Sequence, residues 1–368
     1  MVEIKPLNKQ QLLEYIQSPE FGTGTDIPIS AHRALAQTRN PRLDDEDVLL
    51  ILAVQKGTMV GYLGIIPDLI FLKKRKPVKI GWFSCIWVSE NARGNGISNK
   101  LASVALELWK NQIILTDFVP FTKKIYNRTN QFIEESYLKQ GIRLYVKSDL
   151  STILPSKKPI FSKFKWLFRT IDYCANSLLR IRLAAFKEDV SQLNFEFVDH
   201  IDEEVNDFIA DKQEHQLFKR NAADLNWILH NPWVLSANEK DELNRKYHFS
   251  STTKFFRFYS LKVRNSENTL IAFMIFAQRD DTLKLPYCYH DNCLDTIVKV
   301  LNHHLIKWKT KTFTSYDAIL AQSIRNNKSP SIFKKEITRS YMISSLYKDD
   351  VDYAELEIQD GDGDCSFT

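Results

Sequence analysis

The feature that most constrains this chain is a change of hydrophobic rhythm between residues 78 and 108. Val78–Val88, VKIGWFSCIWV, is almost wholly apolar and rich in β-branched and aromatic residues, the pattern of a buried strand. Ser89-Glu90-Asn91-Ala92-Arg93-Gly94-Asn95-Gly96 then reads as a polar turn. Beyond it Ile97, Leu101, Val104, Ala105 and Leu108 recur at helical spacing. A strand, a glycine turn and a helix N-terminus in that order make an anion site: backbone amides converge and the helix dipole adds partial positive charge. Gly94 and Gly96 remove side chains that would hold a diphosphate away. Arg93 adds a cation at the entrance and Ser98 a hydroxyl.

Three kinds of phosphate loop compete. A P-loop requires GxxxxGK[ST], which is absent although Lys100 is near. A dinucleotide turn requires GxGxxG early in a parallel βαβ unit. Here the turn follows an antiparallel meander: runs at 48–54 and 59–66 joined by the hairpin signal Lys56-Gly57-Thr58, then runs at 69–74 and 78–88. A short strand at 2–6 and a helix from Asn8 precede the meander. A buried strand at 113–119, a helix from Thr122 and a strand at 142–146 follow.

The third kind fits. IGWFSCIWVSENARGNGISNKLASVALEL, residues 80–108, resembles the acetyl-CoA-binding core of the GNAT acyltransferase superfamily. That motif is Arg/Gln-x-x-Gly-x-Gly/Ala after a strand ending apolar-x-Val. Arg93, Gly96 and Ser98 occupy its defined places, with Ser98 standing where Gly or Ala is usual. The resemblance runs over residues 45–147, and residues 123–132 are similar to the family's later helix, whose Tyr sits against the CoA sulfur. It implies acetyl-CoA or a longer acyl-CoA as co-substrate, with no metal. The co-substrate would be held by Val88, Arg93, Gly94, Asn95, Gly96, Ile97 and Ser98. It also implies direct attack by an acceptor amine, with Tyr126 as the acid that protonates the departing thiolate. Many members carry a Glu on the central strand, whereas Trp82-Phe83-Ser84-Cys85-Ile86 holds no carboxylate. Asp117, at the end of the next strand, is the nearest candidate base; its other reading is a strand-end cap. Cys85 reads as a small core residue.

Residues 195–347 repeat the order strand, helices, hairpin strands, helix, strand, helix, strand. The expectation is an α/β (α+β) fold of two GNAT-like mixed-sheet domains in tandem. Residues 1–148 form the acyltransferase domain, 149–192 a basic connector and 193–368 a degenerate second domain. Tyr289-His290-Asp291-Asn292-Cys293 replaces the glycine turn there. The acidic tail contains Asp360-Gly361-Asp362-Gly363-Asp364, too short for an EF-hand loop. It reads as a solvated terminus. In the doubled, myristoyltransferase branch of the superfamily a C-terminal carboxylate is the base, so the resemblance also allows the tail to enter the groove. There it would supply Asp362, Asp364 or the terminal carboxylate.

Charge limits the partners. Net charge is +5, yet residues 157–187 alone hold eight cations and one acid, Asp172, so the remainder sums to about −2 (5 − 7). No basic stripe is left for a nucleic-acid surface. In that connector Phe161, Phe164, Trp166, Leu167, Phe168 and Ile171 interleave with the cations, as in helices lying on anionic lipid; the alternative is a packed helix with solvated lysines. Five scattered cysteines without a CxxC pair and an N-terminus without a charged-then-apolar leader point to a cytoplasmic protein, with peripheral membrane contact through 157–187. The acceptor that the resemblance implies is an amine on a small molecule or on a sugar- or lipid-linked intermediate. The competing readings are Fem-type transfer from aminoacyl-tRNA and a catalytically silent GNAT-fold scaffold.

Overall fold

A computed structural model describes residues 2–73, 75–116, 118–133, 137–237, 246–249, 251–352 and 355–367. The chain begins with β1 (Val2–Leu7) and α1 (Lys9–Gln17). The start of α1 is fixed by Asn8, whose side chain accepts from the Gln11 amide while the Gln11 side chain accepts from the Asn8 amide. Next come α2 (Ala31–Thr38), β2 (Leu50–Gln55), β3 (Thr58–Ile70), β4 (Val78–Val88), α3 (Ile97–Leu108), β5 (Ile113–Thr116), α4 (Pro120–Asn127) and β6 (Tyr137–Tyr145). Lys56 and Gly57 both take positive φ, 49° and 77°, as a two-residue hairpin turn requires.

One expected break is missing. The runs at 59–66 and 69–74 belong largely to a single strand, β3, which passes through Pro67 and Asp68. Proline is tolerated there because β2 pairs with β3 only as far as Gly64. Gly81, opposite Pro67, donates its amide to Gln112 on the far side, so the N–H that Pro67 lacks would have pointed to the side β2 has left.

The second half runs α5 (Leu150–Lys157), α6 (Lys165–Ala185), β7 (Asn194–Val198), α7 (Glu203–Ala210), α8 (Ala222–His230), β8 (Leu235–Ser236) and β9 (Thr252–Thr253). It continues with β10 (Phe256–Arg264), β11 (Leu270–Arg279), β12 (Thr282–His290), α9 (Leu294–Lys307), β13 (Thr312–Ser315), α10 (Ala318–Asn326) and β14 (Phe333–Ile343).

The chain divides into two units, and neither is contiguous. Unit 1 gathers Met1–Lys139, Asp199–Phe256 and Arg339–Thr368; unit 2 gathers Gln140–Val198 and Arg257–Thr338. Their strand orders are the same: β1-β2-β3-β4-β5-β14 in unit 1 and β7-β10-β11-β12-β13-β6 in unit 2. In each, a helix connects two parallel neighbours, α3 between β4 and β5 and α9 between β12 and β13. The closing strands are exchanged. Residues 341–343 of β14 pair antiparallel with β5, and residues 142–145 of β6 pair antiparallel with β13. This is a mixed α/β tandem. Its units cut across the contiguous boundaries at 148 and 192, because strand exchange leaves no trace in composition. In unit 1, Ile97, Leu101 and Ala105 of α3 pack on Ile51, Leu63, Ile65 and Phe83 of the sheet. In unit 2, Ile297, Val298, Leu301 and Leu305 of α9 pack on Leu261, Met274, Phe276 and Leu283.

Candidate active site

The glycine turn is built by its dihedral angles. After β4 the chain makes a short 3-10 turn at Glu90–Ala92, and Gly94 and Gly96 then take φ of 85° and 71°. Left-handed backbone is costly for residues with a Cβ, so the two glycines set the turn's shape. Gly96 is the N-cap of α3, and its carbonyl accepts the first helical bond from Lys100. Among the described residues, no group takes up the amides of residues 94–99. A Cβ on Gly94 or Gly96 would meet no atom within 4 Å, so neither glycine is crowded by the rest of the chain. The buried Ile97 side chain anchors the turn, Ser98 is half-buried in the first helical turn, and Asn95 is exposed. Arg93 is exposed; its Nε donates to the Val88 carbonyl at 3.2 Å and its guanidinium lies 3.6 Å from Glu90. This is the concentration of donors that a diphosphate needs.

The same strand opens beside the turn. Among the described residues β4 pairs with β5 at Gly81 and Trp82 only, and its edge from Phe83 to Val88 has no partner strand there. Ser89 donates to Val60 across β3, which makes Gly61 and Val88 a non-hydrogen-bonded pair. The amide of Val88 therefore points out of the β3–β4 ladder, towards the open edge. A register shift opposite Tyr62 and Gly64 bulges β4, and Cys85 takes a left-handed φ of 57°. A cavity of about 190 Å³ occupies the opening, walled by Phe83, Ser84, Cys85, Ile86, Leu115 and Tyr126 among others. Tyr126 is 2% exposed, and its hydroxyl has no hydrogen-bond partner among the described residues. Burial pushes its pKa well up. Asp117 lies outside the described residues. A larger cavity of about 640 Å³ elsewhere in unit 1 is lined by Arg42, Arg220 and Asp224, but both arginines are already paired to carboxylates. It offers an anion little.

Residues 11–123 match the family model described as Acetyltransferase (GNAT) family. Over those residues the chain is similar to a GNAT acetyltransferase domain. The fold agrees with a GCN5-related N-acetyltransferase from Anabaena variabilis, at 11% identity over 93% of this chain and 72% of that one, with a TM-score of 0.51. It agrees with a conserved protein from Enterococcus faecalis, at 10% identity over 94% and 73%, with a TM-score of 0.52. It also agrees with the Saccharomyces cerevisiae N-myristoyltransferase solved with bound myristoyl-CoA, at 11% identity over 93% and 78%, with a TM-score of 0.51. At such identities the likeness is one of fold. No curated protein matches the chain in sequence.

Two of the wall residues, Ser84 and Cys85, are held by side chains of unit 1 that the motif does not announce. Arg33, on α2 and 4% exposed, donates to Ser84 Oγ at 2.8 Å, Cys85 Sγ at 2.8 Å and the Tyr247 hydroxyl at 2.7 Å. Its guanidinium lies 4.0 Å from the Trp233 ring centre. Burial alone would lower the Arg33 pKa, but Cys85, Tyr247 and Asp364 outweigh it and the net shift is upward. Ser84 Oγ in turn donates to Asp364 Oδ2 at 2.6 Å. The acidic segment is thus not a solvated terminus; it puts a carboxylate on the strand that has none of its own. Cys85 packs against the core cluster around Tyr62, as expected of a small core residue, and also walls the cavity. The sequence signal for Ser84 and Cys85 is their place on the strand that runs into the glycine turn. Arg33 had none, because AHRALAQT reads as an ordinary helix.

The same segment is locked in unit 1. Asp362 is 0% exposed and accepts from Arg220 Nε and Nη2 at 3.0 and 2.8 Å. Arg220 also holds both Asp68 oxygens, at 2.9 and 2.8 Å, while Asp68 further accepts from Arg42 and from Trp82 Nε1. Asp360 pairs with Arg339, and the Ile358 carbonyl accepts from Lys139. Gly363, at φ 75°, passes so close to Trp82 that a Cβ would lie 3.0 Å from its ring. Asp362 is therefore structural. Among the described residues, no three His, Cys, Asp or Glu side chains group as metal ligands.

Proposed function

We propose that the protein is an acyl-CoA-dependent N-acyltransferase, moving an acetyl or longer acyl group by direct attack onto an amine of a small-molecule or sugar/lipid-linked acceptor. The observation that carries this reading is the row of unclaimed amides at 94–99 beside the outward amide of Val88 on the open β4 edge. The amides of the turn would hold the diphosphate, with Arg93 at its entrance. Val88 N–H would steady the pantetheine arm or polarise the thioester carbonyl, where charge develops as the amine attacks. As the C–N bond forms and the C–S bond breaks, Tyr126 would protonate the thiolate. A hydroxyl kept protonated by burial suits that task. The amine's proton would pass through Ser84 Oγ to Asp364, with Asp117 as the competing base. Unit 2, lacking a glycine turn, would shape acceptor choice. The protein would work in the cytoplasm and meet a membrane through residues 157–187.

Isothermal titration with acetyl-CoA tests the reading. Saturable binding supports it, and no binding returns the fold to a silent scaffold or to aminoacyl-tRNA chemistry. Once a turnover assay exists, Tyr126→Phe is expected to lower kcat about 10- to 100-fold while leaving KM for acyl-CoA nearly unchanged. Asp364→Asn should lower kcat by a similar factor and flatten the acid limb of the pH–rate profile. Unchanged kcat and an unchanged acid limb in Asp364→Asn would return the base role to Asp117.

A further inference from the structure

Helix α6 carries two apolar stripes. The inward one, Phe168, Asp172, Ala175, Asn176, Leu179 and Leu183, is buried or half-buried. Two polar members fix it in place: Asp172 accepts from Ser148 Oγ and the amides of Leu150 and Ser151 at 2.7–2.9 Å, and Asn176 bonds both backbone groups of Ser148 at 2.9 Å. The outward stripe, Leu167, Ile171, Cys174, Leu178, Ile181 and Ala185, recurs at alternating steps of four and three and is exposed throughout. Leu178 and Ile181 are each 72% exposed, and Trp166 and Tyr173 extend the face at 68% and 72%. A surface helix normally turns charge outward. This one turns leucine, isoleucine and tryptophan outward.

The charges beside the stripe choose its occupant. All eight cations of residues 157–187 are exposed, and none makes an ion pair among the described residues. The segment's one acid, Asp172, faces inward. A second copy of the helix could seat on a four-three stripe, but it would bring the same cations with no carboxylate to meet them. A bilayer rich in anionic lipid offers what both features need: acyl chains for the stripe and phosphates for the lysines and arginines. Trp166 and Tyr173 are the residue types that settle at headgroup level.

We infer that α6 is a docking helix that lies in the headgroup region of an anionic membrane, apolar stripe down. The inference deepens the membrane part of the reading above and uses none of its acyl-transfer chemistry, so the two fail separately. Unit 2 would then present the protein to acceptors carried on that surface.

The test is co-sedimentation of the full chain with phosphatidylcholine vesicles, with and without phosphatidylglycerol. Binding is expected with the anionic lipid only, weakening at least about tenfold between low and high salt. Trp166, the one largely exposed tryptophan of the chain, should shift its emission to the blue on binding. Leu178→Glu with Ile181→Glu changes two side chains already in water. It should abolish vesicle binding while leaving the melting temperature and the acetyl-CoA titration unchanged. Equal binding to neutral vesicles, unaltered binding by the double variant, or a lipid-free dimer that the double variant dissolves would each overturn the proposal.

Discussion

Gly96→Val should weaken acetyl-CoA binding about a hundredfold, close to 3 kcal/mol, without unfolding the protein. Two effects add. Gly96 sits at φ 71°, where a β-branched residue is strained, so the turn will relax towards ordinary dihedrals and swing its amides out of alignment. The new methyls would also add bulk at the turn itself, where no atom now lies within 4 Å of a Cβ. That same openness is why the core should not suffer: nothing is displaced. Titration calorimetry with acetyl-CoA, alongside thermal melts of both proteins, checks it. Asn95→Ala, at an exposed position with no positive φ, is the control and should bind within a few-fold of the parent. Full affinity in Gly96→Val would mean that the turn is not the diphosphate site.

The second large effect is on stability. Arg220→Met should cost about 3–5 kcal/mol, because it leaves Asp68 and Asp362 buried with their shared cation gone. Urea unfolding of parent and variant measures this, and a loss below about 1 kcal/mol would contradict the assignment. The pH dependence gives a separate reading. Asp68 suffers desolvation, yet Arg220, Arg42 and the Trp82 N–H hold its pKa down at about 2. A depressed carboxylate contributes stability above its ordinary pKa and loses it as pH falls through the folded value. Asp68 therefore supplies about 2 kcal/mol that disappears between roughly pH 4 and pH 2. Asp362 goes the other way: burial raises its pKa despite Arg220, and Asp68 adds to the rise. Its contribution is greatest below the ordinary carboxylate range and is lost as pH climbs through the raised value. The parent should show the Asp68 acid limb, and Arg220→Met should show much less of it.

How much of this was legible in advance depends on how far apart the interacting residues lie. The strand, turn and helix around Arg93–Gly96 could be read because each signal is local: an apolar run, two glycines, then a helical period. The tandem order could be read for the same reason. The runs at 59–66 and 69–74 read as two strands because the sequence does not say where β2 stops, and so where a proline is tolerated. The acidic segment looked solvated because charge is visible in a sequence while its partner is not. Arg220 lies 142 residues from Asp362, and Ser84 lies 280 from Asp364. Even Gly363, which resembles a flexible spacer, is there because the Trp82 ring leaves no room for a side chain. Tyr126 was placed by resemblance, and only the structure gives its burial and its unclaimed hydroxyl.

The exchange of closing strands has a consequence for how the protein is made. Thr116, at the end of β5, bonds to the backbone of Ser340, 224 residues further along. A nascent chain emerging from the ribosome therefore carries β5 with one bare flank for most of its synthesis, a ready template for the wrong neighbour. Holdase chaperones, or a slow docking step once β14 appears, should leave their mark on refolding yields well before any enzymatic assay is run.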